Sequence, residues 1–252
     1  MNVLDVESVH ARFGDHEVLR GVSLQVARGE WFCLLGPNGV GKSTLLHCIV
    51  GRVSPARGEV RISGISGPAA KRRLGYACSP EQLPGLLTGR QCLEVYGIAK
   101  ELERIDEDVL ALSEDLRFTP FMDAFVDTYS LGTRQKLCVL LGLLGDPDLI
   151  VLDEAFNGLD PHSSLTLKRH LRKRLSSDRC GVLLATHSLD IVEHHADAAA
   201  LLLDGLVAKR WTVDELERLK LSGEDTLERA LAEASDQGGL RLTDHAVQRG
   251  AA

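Results

Sequence analysis

The residues best suited to chemistry form a glycine-rich segment early in the chain. Gly36 and the run Gly41-Lys42-Ser43 match the pattern G-x-x-x-x-G-K-[ST], in which backbone N–H groups surround phosphates. An apolar run at 31–35 precedes the segment and a helical pattern follows it, so strand, loop and helix come in the required order. We therefore predict a nucleoside triphosphate site. Its expected residues are Gly36, Pro37, Asn38, Gly39, Val40, Gly41, Lys42, Ser43 and Thr44.

The polar side chains at the end of this loop have separate expected roles. Lys42 should reach the β- and γ-phosphates as a point charge, and Ser43 should offer its hydroxyl to Mg²⁺. Thr44 is placed to contact the α-phosphate side. Because a helix should begin near Lys42, the positive end of its dipole adds to the attraction for phosphate. The backbone and these three residues together predict phosphate binding.

A second group of residues supplies the carboxylates that a triphosphatase needs. The apolar run 149–152 predicts a buried strand, and Asp153 and Glu154 follow it directly. We expect Asp153 to hold Mg²⁺ through water. We expect Glu154 to polarise the attacking water or to take its proton. On its own, an Asp-Glu pair after a strand is often only a polar turn, and the phosphate loop elsewhere in the chain makes that alternative much weaker.

Further motifs resemble those of the ATP-binding-cassette (ABC) ATPases, in that family's order, over about residues 1–210. The segment 129–133, Tyr-Ser-Leu-Gly-Thr, resembles the ABC signature in a variant common among bacterial exporters. The segment 157–160, Asn-Gly-Leu-Asp, resembles the D-loop that contacts a second subunit. The resemblance implies that Ser130 and Gly132 contact the γ-phosphate.

Two more functional residues follow from the resemblance. It implies that His187, after the apolar run 181–185, is the switch histidine and that Phe13 stacks on adenine. Each of these residues also has a simpler local interpretation. Ser130 could be a helix cap, His187 a structural histidine and Phe13 a core residue.

One segment departs from the family's pattern. The family's Q-loop places a glutamine shortly after a Gly-Tyr strand end, whereas ungapped counting from Gly75 puts Ser79 at that position. Glu81 and Gln82 are displaced candidates for the same role. That loop senses Mg²⁺ in the family and relays occupancy to the membrane partner. The departure therefore bears on metal contact and coupling more than on nucleotide binding.

The predicted elements and the resemblance indicate an α/β fold of the P-loop NTPase class. We expect a parallel-sheet core, an N-terminal antiparallel β region at 2–30 and a helical signature subdomain at about 83–145. Helical spacing in that subdomain relates Leu102, Ile105, Val109 and Leu112. We expect one ABC ATPase domain at 1–205. A hairpin and helical extension should occupy 206–252, with an end, from 236 onward, that is partly disordered.

The resemblance implies an ATPase that uses ATP and Mg²⁺ and powers a separate membrane-spanning permease, in the direction of export. Two subunits would face head to tail, with each nucleotide between one phosphate loop and the other subunit's signature. The dimer could be a homodimer or a heterodimer with a second ABC ATPase. Two alternative functions remain open. One is a soluble ABC ATPase for macromolecular or iron–sulfur cluster assembly, and the other is a non-catalytic ATP-gated binding module.

Composition limits the partners and the cellular location that we expect for this chain. The 252 residues carry a formal net charge of −7, which argues against nucleic-acid binding, and we expect the basic run 168–174 to be a solvated helix face. No window reaches the roughly 20 apolar residues of a membrane span, and the N-terminus lacks an export signal. We therefore expect a cytoplasmic chain that lies on the inner face of the cell membrane through its permease.

The six cysteines show no Cys-x-x-Cys pattern and sit mostly among apolar residues. This distribution is typical of buried free thiols in a reducing compartment. The residues are Cys33, Cys48, Cys78, Cys92, Cys138 and Cys180.

Overall fold

The computed structural model describes residues 1–222 and residue 229. Within that part of the chain, nine strands form two sheets and seven α-helices pack around them. The strands are β1 (Asn2–Phe13), β2 (His16–Ala27), β3 (Trp31–Leu35), β4 (Arg57–Ile62), β5 (Leu74–Ala77), β6 (Leu149–Asp153), β7 (Gly181–Ala185), β8 (Ala198–Leu203) and β9 (Leu206–Trp211). The helices are α1 (Lys42–Ile49), α2 (Gly89–Ala99), α3 (Glu107–Asp115), α4 (Leu131–Leu143), α5 (Pro161–Ser176), α6 (Leu189–His195) and α7 (Val213–Ser222).

The larger sheet has the strand order β5-β6-β7-β3-β8-β9. Its first five strands are parallel, and β9 runs antiparallel to β8. β3, β6 and β7 are short apolar runs that are buried almost throughout, as expected for strands covered on both faces. Because parallel strands end at one edge, the loop after β3 and the carboxylates after β6 meet there. The predicted parallel core is confirmed.

Alternate residues of the central strands face two separate cores. In the first core, Trp31, Cys33 and Leu35 pack with the helices α2 to α6. Phe32 and Leu34 point to the opposite face, where they pack with α1 and the smaller sheet in the second core. This alternation follows from the two-residue period of a strand and fixes α1 on one side of the sheet and α4 on the other.

The smaller sheet is antiparallel and has the order β2-β1-β4. Buried and exposed residues alternate along much of β1 and β2, because one face packs on the second core. The two strands form a hairpin whose last pair is Phe13 and His16. The predicted β region at 2–30 contains β1 and β2, whereas β4 joins this sheet from further along the chain.

Three helices, α2, α3 and α4, lie between β5 and β6. The predicted continuous helical spacing through Leu102 and Ile105 is wrong, since α2 ends at Ala99 and α3 begins only at Glu107. The residue before α3, Asp106, accepts a hydrogen bond from the N–H of Gly145 at 2.5 Å. This bond ties the start of α3 to the segment after α4, and Leu102 and Ile105 pack against the first core from the connecting turn.

The C-terminal part of the described chain is a hairpin followed by a helix. Asp204 and Gly205 form the turn between β8 and β9. Leu216 of α7 is buried. Most of the extension predicted beyond residue 222, including its partly disordered end from residue 236, lies outside the described residues.

The basic run lies on α5, but the prediction of a solvated face is wrong for Arg174, which is buried and pairs with Asp108 at 2.8 Å. The helix's stripe of Leu167, Leu171 and Leu175 is buried, while Arg172 pairs with Asp197 at 2.8 Å. All six cysteines are buried thiols, as expected. None of the helices within residues 1–222 combines the length and the apolar character needed to cross a bilayer.

Candidate nucleotide site

The glycine-rich loop connects β3 to α1 at the carboxyl edge of the larger sheet. Gly36 has a φ of 153°, and a Cβ at this position would lie 2.5 Å from the carbonyl oxygen of Leu202. A side chain larger than hydrogen therefore cannot fit without moving β8. The close approach of the loop to the neighbouring strand explains why the first position of the pattern is glycine.

Lys42 is the first residue of α1, and its side chain folds back onto this loop. Its Nζ donates hydrogen bonds to the carbonyl oxygens of Gly36 at 2.6 Å and Pro37 at 3.0 Å. Burial lowers the pKa of Lys42, although the nearby carboxylates of Glu154 and Asp153 act in the opposite direction. A buried ammonium with two neutral acceptors gains much from an anionic partner, so this side chain is prepared to receive phosphate.

An open cleft of about 360 Å³ lies beside the loop. Two groups of residues line it: the loop with the two carboxylates at the end of β6, and the β1–β2 hairpin. The lining residues are Phe13, His16, Val18, Asn38, Gly39, Gly41, Lys42, Ser43, Thr44, Asp153 and Glu154. Three predicted loop residues lie outside this lining, because Gly36 and Pro37 face Lys42 and Val40 packs on the second core.

Asp153 is the last residue of β6 and is half-buried. Burial raises the pKa of Asp153, the hydrogen bond from Ser43 lowers it, and the negative charge of Glu154 raises it further. A cation in the cleft would favour the ionised form of this carboxyl. The hydroxyl of Ser43 and the carboxylate of Asp153 are adjacent oxygen donors, which fit Mg²⁺ held partly through water.

Glu154 is held by contacts with three residues. Its N–H donates to the carbonyl oxygen of Ala185 at 3.0 Å, and its φ of 49° turns the chain away from the strand. One carboxylate oxygen, Oε1, lies 2.9 Å from Nδ1 of His187, and the other accepts a hydrogen bond from Asn157 at 3.3 Å. The carboxylate is therefore oriented at the edge of the cleft before any ligand binds.

The signature residues lie away from the cleft. The hydroxyl of Ser130 accepts a hydrogen bond from the N–H of Thr133 at 3.2 Å, so the local interpretation as a helix cap is confirmed. A Cβ on Gly132 would lie 2.7 Å from the carbonyl oxygen of Gly158. The signature therefore packs closely against the predicted D-loop, and neither Ser130 nor Gly132 lines the cleft of its own chain.

The three Q-loop candidates also lie outside the cleft lining. Ser79 donates a hydrogen bond to the carboxylate of Glu81. Gln82 accepts one from Arg52, whose guanidinium lies 4.9 Å from the ring centroid of Tyr76. Each candidate is thus engaged with another side chain, and the family role assigned to this loop stays a prediction.

Comparison with known proteins decides the family. The model of the ABC transporter family matches residues 19–157, more than half of the chain. This chain belongs to the ABC transporter family. Nod factor export ATP-binding protein I of Rhizobium meliloti (strain 1021) is 35% identical over 208 residues, which cover 80% of this chain and 62% of that relative. The chain therefore spans less than two thirds of the relative's length.

Solved structures place the ABC chain among ATP-binding cassettes. An ATP-binding subunit of an ABC transporter aligns with a TM-score of 0.83 and 28% identity, covering 92% of this chain and 99% of the other. A dimeric cassette bound to ADP and Pi aligns with a TM-score of 0.75 and 23% identity, covering 83% and 98%. The second comparison bears on the fold alone. The predicted fold class is thereby confirmed.

Sequence reasoning missed three side chains around the site of this ABC protein. Asn157 contacts Glu154, His16 lines the cleft, and Arg52 bonds Gln82. Asn157 stood inside the predicted D-loop, so its position was a usable signal. The other two contacts depend on how the hairpin and the end of α1 fold back, which no local pattern reveals.

Proposed function

We propose that this chain binds and hydrolyses ATP and that it powers a separate membrane-spanning permease in the direction of export. The observation that carries this proposal is the meeting of Lys42, Asp153 and Glu154 at one cleft, with His187 bonded to the last of them. A phosphate-binding ammonium, a metal-binding carboxylate and an oriented base are the parts that phosphoryl transfer to water requires.

Each residue has one role in the proposed reaction. The loop N–H groups and Lys42 bind the β- and γ-phosphates, and the N-terminal end of α1 adds its dipole. Mg²⁺ held by Ser43 and Asp153 would neutralise phosphate charge. Glu154 accepts the proton of the attacking water, and His187 keeps its carboxylate in place. Phe13, which is 54% exposed at the hairpin end of the cleft, offers its ring to the adenine.

A second copy of the chain completes the site in this proposal. Ser130 and Gly132 do not line the cleft of their own chain, and both lie on a segment packed against the D-loop. One chain carries both the phosphate loop and the signature, so two copies related by a two-fold axis would form two identical sites. We therefore favour the homodimer, and the dimeric cassette of similar fold is consistent with that arrangement.

The proposed permease contacts an apolar surface beside the helical segment. Leu86, Phe121 and Phe125 are 84%, 42% and 58% exposed. Leu86 and Phe125 belong to adjoining segments, since the N–H of Val126 bonds the carbonyl oxygen of Leu87 at 2.9 Å. Exposed apolar residues grouped in this way are typical of interaction sites. A permease on this surface would place the chain on the inner face of the membrane, and the Nod factor export relative supports export.

A pull-down from native cells tests this partnership. The Glu154→Gln chain, which should hold ATP without hydrolysing it, is purified in detergent with ATP and Mg²⁺, and co-purifying proteins are identified by mass spectrometry. A polytopic membrane protein is the expected partner. Phe125→Asp on the same background should lose it, and Leu165→Asp, an exposed residue of α5, should keep it. A control transporter purified in the same way should keep its membrane subunit. If it does and this chain recovers only soluble proteins, the result would favour the assembly ATPase.

A further inference from the structure

The hairpin that carries Phe13 presents a second ring on the same face. Phe13 and His16 are direct partners across the β1–β2 pairing and are separated by the two-residue loop of Gly14 and Asp15. Directly opposite residues of an antiparallel pair point to the same side of the sheet, with Cβ atoms about 5 Å apart. His16 must therefore face wherever Phe13 faces.

Both residues line the nucleotide cleft. The hairpin contributes Phe13, His16 and Val18 to the lining, and His16 is the polar member of this group. His16 is exposed, and within residues 1–222 its ring takes part in no hydrogen bond or ion pair, whereas the nearby His10 bonds Glu17 at 3.0 Å. The imidazole of His16 thus keeps both ring nitrogens available in the lining of the cleft.

We propose that His16 hydrogen-bonds the nucleoside half of the nucleotide and so acts as a second nucleoside-binding residue beside Phe13. The inference rests on the proposed ATP binding at Lys42. Phe13 and Val18 offer apolar surface but no hydrogen-bonding group at this end of the cleft. A neutral imidazole has one donor and one acceptor, and both base edges and ribose hydroxyls carry complementary groups. His16 supplies the polar contact that an otherwise apolar nucleoside pocket requires.

Binding of three ligands by the purified full chain separates the two halves of the nucleotide. ATP, ribose 5-triphosphate and tripolyphosphate are titrated with Mg²⁺ into the wild type and into His16→Ala. One lost hydrogen bond should raise the Kd for ATP about 3- to 10-fold. The Kd for tripolyphosphate should not change, because His16 belongs to the β1–β2 hairpin and not to the glycine-rich loop that is proposed to bind phosphate. A loss shared by ribose 5-triphosphate assigns the contact to the sugar, and a loss confined to ATP assigns it to the base.

Control variants keep the outcomes distinct. His16→Gln retains a donor and an acceptor and should recover part of the affinity for ATP. His162→Ala, at an exposed position of α5, should bind all three ligands as the wild type does. Equal affinity of the wild type and His16→Ala for ATP would overturn the inference, and so would an equal loss for ATP and tripolyphosphate. Failure of the wild type to bind ATP would instead refute the proposed function itself.

Discussion

Nδ1 of His187 lies 2.9 Å from Oε1 of Glu154, although 33 positions separate the two residues in the chain. The contact follows from the sheet. β6 and β7 are parallel neighbours, and Asp153 is paired with Ala185, so the residues just beyond both strands leave the sheet side by side. The imidazole thereby fixes the carboxylate that we propose as the base.

Replacing His187 should slow the chemical step without weakening nucleotide binding. His187 contacts Glu154 and does not line the cleft, so His187→Ala should lower kcat roughly 10- to 100-fold through loss of positioning, with an unchanged Kd for ATP. Steady-state phosphate release and equilibrium titration measure the two quantities. His194→Ala, which removes an exposed histidine of α6, serves as the matched control. An undiminished kcat would show that the contact has no role in turnover.

Removing the loop ammonium should abolish the ATP-dependent dimer. Lys42 is proposed as the point charge for the β- and γ-phosphates, so Lys42→Ala should show no ATP-induced increase in mass by light scattering. Lys71→Ala is the control, since this lysine bonds Gly51 and lies outside the cleft. If Lys42→Ala dimerises with ATP as the wild type does, the phosphate role assigned to this residue is wrong.

Mixing two inactive variants should restore turnover if each site is shared between two copies. Gly132→Ala places a methyl group about 2.7 Å from the carbonyl oxygen of Gly158 and should stop hydrolysis while leaving ATP binding intact. Lys42→Ala lacks the ammonium that we propose to bind the phosphates. A mixed dimer contains one site with neither change, so an equimolar mixture should recover turnover that neither variant shows alone. A mixture as inactive as its components would contradict the homodimer.

Asp148, at the start of the β6 region, should contribute strongly to stability. Its carboxylate accepts hydrogen bonds from Arg28, Ser63 and Arg73, each at 2.9 Å, and so joins three separate segments. Asp148→Asn should cost roughly 1–3 kcal/mol of unfolding free energy, because two arginines lose a charged partner. Urea denaturation measures the loss. Asp123→Asn is the control, since Asp123 pairs with an arginine at a well-exposed position.

The same carboxylate predicts how this stability depends on pH. Burial alone would raise the pKa of Asp148, but the hydrogen bonds from Arg28, Arg73 and Ser63 outweigh burial and hold it below its usual value. The folded state therefore binds the proton less readily than the unfolded chain does. The stabilisation by Asp148 is complete at a pH above the pKa that its carboxyl has in the unfolded chain. It is lost as the pH falls through the lower pKa of the same carboxyl in the folded protein. The difference between wild type and Asp148→Asn should shrink on acidification, and a constant difference would refute this assignment.

Local patterns predicted the strands and loops of the site better than its side-chain contacts. The apolar runs at 31–35 and 181–185 are strands with those bounds, because every residue in both runs is buried in the sheet. The helical spacing around Leu102 was misleading, because the chain is not helical between α2 and α3. The start of α3 is instead set by a tertiary contact, the hydrogen bond from the N–H of Gly145 to Asp106. Pairings across the fold, such as Arg52 with Gln82, depend on tertiary packing that a single sequence does not encode locally.

Phosphate release by the wild type and by Glu154→Gln tests the central claim most directly. Both proteins are assayed with ATP and Mg²⁺ after their Kd values for ATP have been measured. Glutamine keeps the shape of the side chain but cannot take a proton, so turnover should fall at least about 100-fold while ATP binding persists. Equal turnover in the two proteins would show that another group is the base. ATP binding without any turnover by the wild type would show a non-catalytic ATP-gated module.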